Sequence, residues 1–277
     1  MIWRECQDTD REAILRLTRE PMGGKIRLVW GLDTLRCPPE CKDLRAYVIE
    51  TAAGVTGCSM AWDWPGGHRY LSGLRLGSEM KSRPGSKFTK AAYESQLTGA
   101  DHGWASIGNG NERVRRIMER DVSWLPLHTP RQAITTWFVP LPPSQAKGSQ
   151  NENQALEITP LDWRHIAVAS GSGLAYRAGR ILNMLGRPGI AKPGHPMRIG
   201  DFRPSLDSKP NQIRSQLSQI RGFDGLVVVL PKESDSAKHW RKAMPRLTWE
   251  WQSTLYSISW RRDASPPAIP EWKGFWL

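Results

Sequence analysis

The chain has 277 residues, of which 24% are charged, and a formal net charge of +12, with a pI near 9.9. This length can bury one large core or two smaller ones, and the charge favours an anionic partner such as a phosphorylated cofactor, an acidic peptide, nucleic acid or a lipid surface. No apolar run approaches the ~20 residues that cross a membrane, and the N-terminus lacks the pattern of a signal peptide, which predicts a cytoplasmic protein. Four cysteines and six scattered histidines lack zinc-ligand spacing, so neither a disulfide framework nor a metal site is predicted.

The first half of the chain predicts a mixed α/β sheet with flanking helices. Short runs rich in apolar residues indicate the strands, and an acidic cap at Asp8-Thr-Asp10 precedes the first helical pattern. A hairpin is predicted around Ala53-Gly54. In chain order, the predicted elements are a strand at 2–3, a helix at 11–20, an apolar run at 26–32, strands at 46–50, 55–62 and 70–76, a helix, a strand and a second helix up to 119, and a strand at 133–139.

Residues 70 to 119 contain two strand–turn–helix units in succession. In the first, a strand leads into the turn Lys81-Ser-Arg-Pro-Gly-Ser-Lys87, which places three cations and a glycine where a helix should begin. Free backbone N–H groups, the positive end of the helix dipole and basic side chains make such a turn suitable for an anion. In the second unit, a polar turn at Asn111 joins the strand to its helix. The pattern predicts two parallel strands and a phosphate-bearing cofactor across the end of the first one.

This succession resembles the GCN5-related N-acetyltransferase (GNAT) superfamily, whose strand–loop–helix element reads Arg/Gln-x-x-Gly-x-Gly/Ala. Lys81 takes the Arg/Gln position, Pro84 that of the first glycine and Ser86 that of the second. Asn111, in Asn-x-x-Val-x-x-Ile-Met-Glu, resembles the strand-end residue before the family's last helix. The resemblance covers about residues 1–141. It implies an N-acyltransferase that moves an acyl group from acetyl-CoA or a longer acyl-CoA to an amine.

In that family the strand before the loop holds the pantetheine arm of the cofactor by backbone hydrogen bonds, and the loop amides hold the pyrophosphate. The resemblance therefore implies that the arm lies along the end of the strand at 70–76 and that the phosphates lie in the basic turn. The implied cofactor-binding residues are Leu74, Arg75, Leu76, Lys81, Ser82, Arg83, Gly85, Ser86, Lys87 and Asn111.

Three positions depart from the family pattern. Pro84 lacks a backbone donor, and Ser86 adds a side chain where the backbone usually approaches the cofactor most closely. Met118 stands where the family often has a tyrosine, which is proposed to protonate the leaving thiolate. These departures favour, as an alternative, a non-catalytic GNAT-like protein that binds acyl-CoA or a peptide.

Transfer to an amine requires that the acceptor lose a proton, because a free alkylammonium has a pKa of about 10.4. It also requires N–H donors at the carbonyl oxygen, for which the backbone of the splayed strand is expected. Asp63, His68 and Tyr70 precede or begin this strand and are the candidate catalytic residues. Each also has a structural interpretation: a turn residue, a solvated loop histidine and a core aromatic residue.

The chain contains 14 tryptophans, several of them near the proposed cleft in sequence. Core packing explains most of them. The alternative is an apolar groove that binds a long acyl chain or a hydrophobic peptide, in which case a fatty acyl group would be attached to a peptide side chain. The expected donor is an acyl-CoA or an acyl-carrier protein, and the expected acceptor is an amine-bearing peptide or small molecule.

The second half repeats the order of elements but lacks the basic turn. Helices are predicted at 162–185, 211–220 and 237–244, with a strand at 224–231 and a final β segment. The predicted domains are a GNAT-like domain at 1–141, a linker at 142–156, and a smaller α/β domain at 157–277. The last domain is interpreted either as a degenerate GNAT-like half or as another α/β domain.

An arginine-rich helix suggests a third functional hypothesis, which is nucleic-acid binding. It carries Arg113, Arg115, Arg116 and Arg120, and Arg261-Arg262 lie near the C-terminus. No helix-turn-helix, zinc-finger or RNP-like motif accompanies these arginines. A solvated helix face is therefore favoured, and nucleic acid is not the expected partner.

Overall fold

The computed structural model describes residues 2–19, 41, 43–64, 68–77, 86–120, 122–147, 149–150, 156, 158–160, 198–204, 207–244, 248–261, 265 and 268–269. The predicted apolar run at 26–32, the basic turn up to Gly85 and the predicted helix at 162–185 lie outside these residues. The chain divides into two compact units. Described residues up to Gln132 and from Thr254 onward form the first unit, and those in Ala133–Ser253 form the second.

Within the described residues the chain forms ten strands, six helices and a short 3₁₀ turn at Asp8–Asp10. The strands are β1 (Ile2–Glu5), β2 (Leu44–Thr51), β3 (Gly54–Trp64), β4 (His68–Leu76), β5 (His102–Gly108), β6 (Leu127–Pro140), β7 (Ile158–Pro160), β8 (Ile199–Phe202), β9 (Gly225–Pro231) and β10 (Trp249–Ser259). The helices are α1 (Arg11–Arg19), α2 (Ser86–Leu97), α3 (Glu112–Met118), α4 (Pro143–Ala146), α5 (Pro210–Gln219) and α6 (Asp235–Ala243).

The first unit is built on a mixed sheet in the order β1-β2-β3-β4-β5, with the end of β10 beyond β5. β1 to β4 are antiparallel neighbours, whereas β4 and β5 are parallel. Gly54 turns the β2–β3 hairpin with a φ of +92°, a conformation that favours glycine. The hairpin and the parallel strand pair predicted from the sequence are both confirmed.

Helix α2 covers one face of this sheet. Its side chains Tyr93 and Leu97 pack in a buried cluster with Leu71 of β4 and Ala105 of β5. Gly103 permits this approach, because a Cβ there would lie 2.5 Å from Leu71 Cδ1 and 2.8 Å from Leu97 Cδ2. Helix α2, which follows β4 in the chain, is therefore fixed against the β4–β5 pair.

The acidic cap predicted at 8–10 forms a buried ion pair rather than a simple helix cap. The Asp10 carboxylate accepts two hydrogen bonds from Arg4, at 2.8 and 2.9 Å, and a third from the Gln7 backbone N–H at 2.8 Å. The guanidinium of Arg4 holds the pKa of Asp10 below its usual value, although burial opposes this shift. The cap thus ties the start of α1 to strand β1.

The second unit has a sheet in the order β7-β8-β9-β6, with the beginning of β10 beside β6. β8 and β9 are parallel, and β9 and β6 are antiparallel. Helices α5 and α6 contribute Leu217 and Trp240 to a core that also contains Trp137. The Trp137 indole N–H donates to Glu250 at 2.9 Å, which links β6 to β10 inside this unit.

The two compact units are divided at residues other than the predicted domain boundaries. The segment predicted as a linker contains α4, and Gln145 within it is buried and donates from Nε2 to the Leu217 carbonyl at 2.7 Å. Residues 254–259 of β10 belong to the first unit. The boundaries at 141 and 157 therefore stay a prediction. No helix in the described part of the chain is long and apolar enough to cross a bilayer.

A buried histidine in the first unit predicts acid sensitivity. His128 of β6 lies 2.9 Å from the Tyr93 hydroxyl of α2, and burial lowers its pKa from 6.5 to about 4. Because the unfolded chain then takes up a proton at higher pH than the folded one, stability is full above pH 6.5 and falls as the pH drops toward 4. The loss is about 3 kcal/mol, at 1.36 kcal/mol per pKa unit.

Urea unfolding at pH 7.5, 6, 5 and 4.5 tests this expectation. His128→Gln, which stays neutral and can still bond Tyr93, should flatten the fall in unfolding free energy relative to the unsubstituted protein. His239→Gln, in α6 of the second unit, is the matched control, and an equal flattening in this variant would show that the effect is not specific to His128. Equal slopes for the protein and the His128 variant would contradict the assignment.

Candidate active site

Strand β4 contains a β-bulge in its middle. Its register with β3 pairs Met60 with Ser72 and Cys58 with Arg75, so that Gly73 and Leu74 together oppose Ser59. Such a bulge removes backbone groups from the ladder and bends the strand. Leu74, within the bulge, is 36% exposed. The bulge therefore interrupts the β3–β4 ladder beside an exposed apolar side chain.

The parallel ladder between β4 and β5 is short. It pairs Arg69 with Gly103 and Tyr70 with Trp104, and no later residue of either strand is in register, although both strands are described throughout. On its other side β4 stays paired with β3 as far as Leu76. A parallel ladder has evenly spaced hydrogen bonds where it is complete, so within the described residues the two strands separate after the Tyr70–Trp104 pair. This opening and the bulge define the candidate site.

In the sequence, the strand that carries the candidate site is followed by the basic turn. Of the residues implied to bind the phosphates, Lys81, Ser82, Arg83 and Gly85 lie outside the described residues. Ser86 and Lys87 form the first two positions of α2, so a helix does begin where the sequence predicts one. Of those implied to bind the pantetheine arm, Leu74 lies in the bulge, and Arg75 and Leu76 follow it. The contacts of all these residues with a cofactor stay a prediction.

Asp63 is held in an ion pair with Arg69. The Arg69 Nε lies 2.5 Å from Asp63 Oδ1, and its Nη2 lies 3.1 Å from Oδ2. Arg69 is 3% exposed and also donates to the carbonyl of Gln96, in the last turn of α2, and to that of Thr98, just after the helix. This bidentate pair gives Asp63 a structural role at the end of α2, and its catalytic role remains a prediction.

His68 lies at the first position of β4. Its Nδ1 accepts a hydrogen bond of 3.2 Å from the Trp104 indole N–H, which places the proton of the neutral ring on Nε2. Burial, and to a smaller extent the nearby His102, lower its pKa. His68 is therefore neutral near pH 7 and lies at the closed end of the β4–β5 opening.

Tyr70 is buried in an aromatic layer. It is 2% exposed and stacks on Trp62 with ring centroids 5.7 Å apart, and its strand partner Trp104 is fully buried. Asp63, His68 and Tyr70 thus lie within one hairpin, but each is engaged in a different set of contacts. His68 and Tyr70 lie at the end of β4 that pairs with β5, whereas the Asp63 carboxylate is bonded to Arg69.

The hydroxyl of Tyr256 lies at the end of α3, where the sequence did not predict it. Met118 packs against the buried cluster of the first unit, and the neighbouring Glu119 carboxylate accepts a hydrogen bond of 2.9 Å from the Tyr256 hydroxyl. Burial raises the pKa of Tyr256. Asn111 precedes α3, is exposed, and bonds the Gly108 carbonyl through its backbone N–H at 2.9 Å. No local pattern could show that Tyr256 of β10 reaches a helix 137 residues earlier.

The β-bulge was also missed, although the sequence contains a sign of it. Gly73 lies inside the predicted strand at 70–76, and a glycine inside a strand often marks a bulge or a close backbone approach. Its position opposite Ser59 depends on the register between β3 and β4, which the strand pattern does not specify.

No family model and no curated protein matches the sequence. Among solved structures, a tandem GNAT protein from the clavulanic acid biosynthesis pathway matches with a TM-score of 0.53 and 8% identity, covering 95% of this chain and 99% of that one. A putative acetyltransferase from Pyrococcus horikoshii has a TM-score of 0.49 and 8% identity, covering 93% and 89%. A point mutant of the spermidine N-acetyltransferase SpeG from Vibrio cholerae covers 48% of this chain and 81% of its own, with a TM-score of 0.37 and 12% identity.

The likeness to the tandem protein extends over almost the whole chain, and each compact unit contains a parallel strand pair joined through a helix. The chain therefore has the GNAT fold in its tandem form, with a mixed sheet flanked by helices. The resemblance to the GNAT superfamily that the sequence predicts is confirmed at the level of the fold.

Proposed function

We propose that the protein is an N-acetyltransferase that moves the acetyl group of acetyl-CoA to a primary amine of a peptide or small molecule. The observation that supports this most directly is the open stretch of β4 with its bulge at Gly73 and Leu74. A strand edge that lacks a neighbouring strand can bind an extended amide-containing ligand through backbone hydrogen bonds, in the position that the neighbouring strand would take. The pantetheine arm of CoA is such a ligand. The GNAT fold makes this chemistry the expected one.

The residues of the first unit fit this cosubstrate. The backbone of Leu74, Arg75 and Leu76 would hold the arm, and the cations of the turn at 81–87 would hold the phosphates. When bound, the thioester supplies an activated acyl group. The bulge N–H groups, in this proposal, bind its carbonyl oxygen and favour the negative charge that develops there.

The buried aromatic layer favours a short acyl group. Trp62, Tyr70 and Trp104 are 2%, 2% and 0% exposed and fill the paired end of the β4–β5 opening. A long acyl chain directed toward that end would have to displace them. We therefore propose acetyl-CoA as the donor, rather than the fatty acyl-CoA that the tryptophan content allows.

Among the predicted catalytic residues we retain His68 as the proposed base. It is neutral near pH 7, and its Nδ1 can take up a proton when the Trp104 hydrogen bond is released. The hydroxyl of Tyr256, which donates to Glu119 next to Met118, is the proposed proton donor in place of the tyrosine that Met118 replaces.

Calorimetric titration with acetyl-CoA and with palmitoyl-CoA tests the proposal. We expect acetyl-CoA to bind, and Lys81→Ala/Arg83→Ala to raise its Kd at least about tenfold, because hydrogen bonds to charged groups contribute about 1.5–3 kcal/mol. Arg214→Ala/Arg221→Ala removes the same charge from the second unit and should leave the Kd unchanged. Tighter binding of palmitoyl-CoA would overturn the proposed chain length.

The alternative of a non-catalytic binding protein rests on Pro84, Ser86 and Met118. Release of CoA from acetyl-CoA, measured with spermidine and with peptides that have a free N-terminal amine, separates the two functions. Binding without release in the presence of any of these amines would favour the non-catalytic alternative. Absence of acetyl-CoA binding would remove the proposed function.

A further inference from the structure

A buried glutamine of α2 contacts β3 directly opposite the bulge. Gln96 is 3% exposed, and its Nε2 donates to the Met60 carbonyl at 2.9 Å and to Ser59 Oγ. Ser59 is the residue that Gly73 and Leu74 together oppose. The two hydrogen bonds therefore fix β3 at the one point where β4 departs from regular pairing.

The backbone of the same residue contacts the other end of the candidate site. The Gln96 carbonyl accepts a hydrogen bond of 2.9 Å from Arg69 Nη1. Arg69 forms the first registered pair with β5, opposite Gly103, and is locked by Asp63. A single residue of α2 thus joins the paired end of the β4–β5 ladder to the point where β4 bulges.

Such a connection has a physical consequence for the site. A bulge is one of several registers that two strands can adopt, and a shift by one residue would turn Leu74 and its neighbours to the opposite face. Buried polar groups strongly favour the arrangement in which all of them are bonded, because an unpaired one loses its hydrogen bonds to water without replacement. The structure shows the contacts of Gln96 with Ser59 and Met60 made in the bulged register.

We propose that Gln96 is a positioning residue that holds the β4 bulge, through Ser59 and Met60, in the conformation that binds the acyl donor. This inference rests on the proposed function for its catalytic meaning, but the bulge itself exists in the structure independently of it. The side chain of Gln96 donates to β3, and it acts on the bulge of β4 through that strand.

The test compares Gln96→Met with Gln145→Met. Methionine keeps most of the volume and removes the hydrogen bonds. Gln145 is the matched control, because it is also buried and donates from Nε2 to a backbone carbonyl, that of Leu217, in the second unit. Ser59→Ala is a milder variant that removes one acceptor and keeps the Met60 bond, in case Gln96→Met does not fold.

The first measurement is amide hydrogen exchange of the peptide spanning β4, which requires no ligand. We expect Gln96→Met to accelerate exchange of Ser72, Arg75 and Leu76, which are paired with β3, by tenfold or more, an order of magnitude set by the loss of a local hydrogen-bonded lock. Ser59→Ala should accelerate it less, and Gln145→Met should leave it unchanged. Unchanged exchange of this peptide in both Gln96→Met and Ser59→Ala would overturn the inference.

The second measurement is acetyl-CoA turnover, as CoA release. We expect Gln96→Met to lower kcat/KM by about 10- to 100-fold, since misplacement of a reacting group by about 1 Å can cost that much. Gln145→Met should lower the Tm comparably but keep kcat/KM. If the unsubstituted protein does not bind acetyl-CoA, the proposed function fails while the exchange data still decide the role of Gln96. If it turns over acetyl-CoA and Gln96→Met does so equally well with unaltered exchange, only the positioning role fails.

Discussion

Replacement of Arg69 by methionine is expected to lower the free energy of unfolding of the first unit by about 3 kcal/mol. Removing one partner of a buried ion pair costs about 3–5 kcal/mol because the remaining charge stays buried without compensation. The lower end of that range applies, since the Asp63 side chain is 25% exposed and Arg45 lies 3.8 Å from it. The variant also frees the two carbonyls at the end of α2. Urea unfolding followed by tryptophan fluorescence measures the loss.

Two further variants show whether the loss arises from the ion pair. Arg116→Met breaks a surface pair with Glu112, whose side chains are 74% and 71% exposed, and it should have no measurable effect. Arg69→Met/Asp63→Asn should recover part of the stability, because it removes the unpaired carboxylate. A loss for Arg69→Met no larger than that for Arg116→Met would show that the buried pair does not stabilise the unit.

Replacement of Leu74 by proline is expected to lower the rate of acetyl transfer roughly 10²- to 10³-fold, the effect of losing one N–H donor to a developing oxyanion. Proline removes the backbone N–H of a bulge residue and is tolerated in strands mainly at edges and bulges. The expected loss is therefore in catalysis rather than in folding. CoA release from acetyl-CoA, with spermidine or a peptide amine as acceptor, gives the rate.

Leu74→Ala is the matched control for this variant. It trims the exposed side chain and keeps the N–H, so its rate should stay within a few-fold of that of the unsubstituted protein. Thermal unfolding of both variants checks that the first unit remains folded. If the proline and alanine variants transfer acetyl groups equally fast, the N–H of Leu74 does not act on the carbonyl oxygen.

Several helices and strands of the described residues were predictable, because each is indicated by residues that are close together in the sequence. Runs rich in apolar residues predicted the hairpin at 46–62 and the strand at 70–76, and helices were predicted at 211–220 and 237–244, where α5 and α6 lie. The succession of two strand–turn–helix units was enough to predict the GNAT fold. The length of the chain and the repeated order of elements predicted a second half.

The candidate site depended on contacts that no local pattern contains. Asp63 was predicted as a catalytic candidate from its position before β4, whereas its partner Arg69 was not singled out at all. The Asp63–Arg69 pair forms because the β3–β4 hairpin places the two residues opposite each other. The residues next to a carboxylate in the sequence do not show whether such a partner lies opposite it in the fold.

The chain by itself determined which segments become strands and helices, and the order in which they follow one another. Only the tertiary structure decided that β4 bulges at Gly73 and Leu74, that its ladder with β5 ends after Tyr70, and that residues 254–259 join the first unit. The physical reason is that backbone conformation follows from neighbouring residues. Register and strand order depend on side chains far apart in sequence, whose packing and hydrogen bonds are satisfied together only in the folded chain.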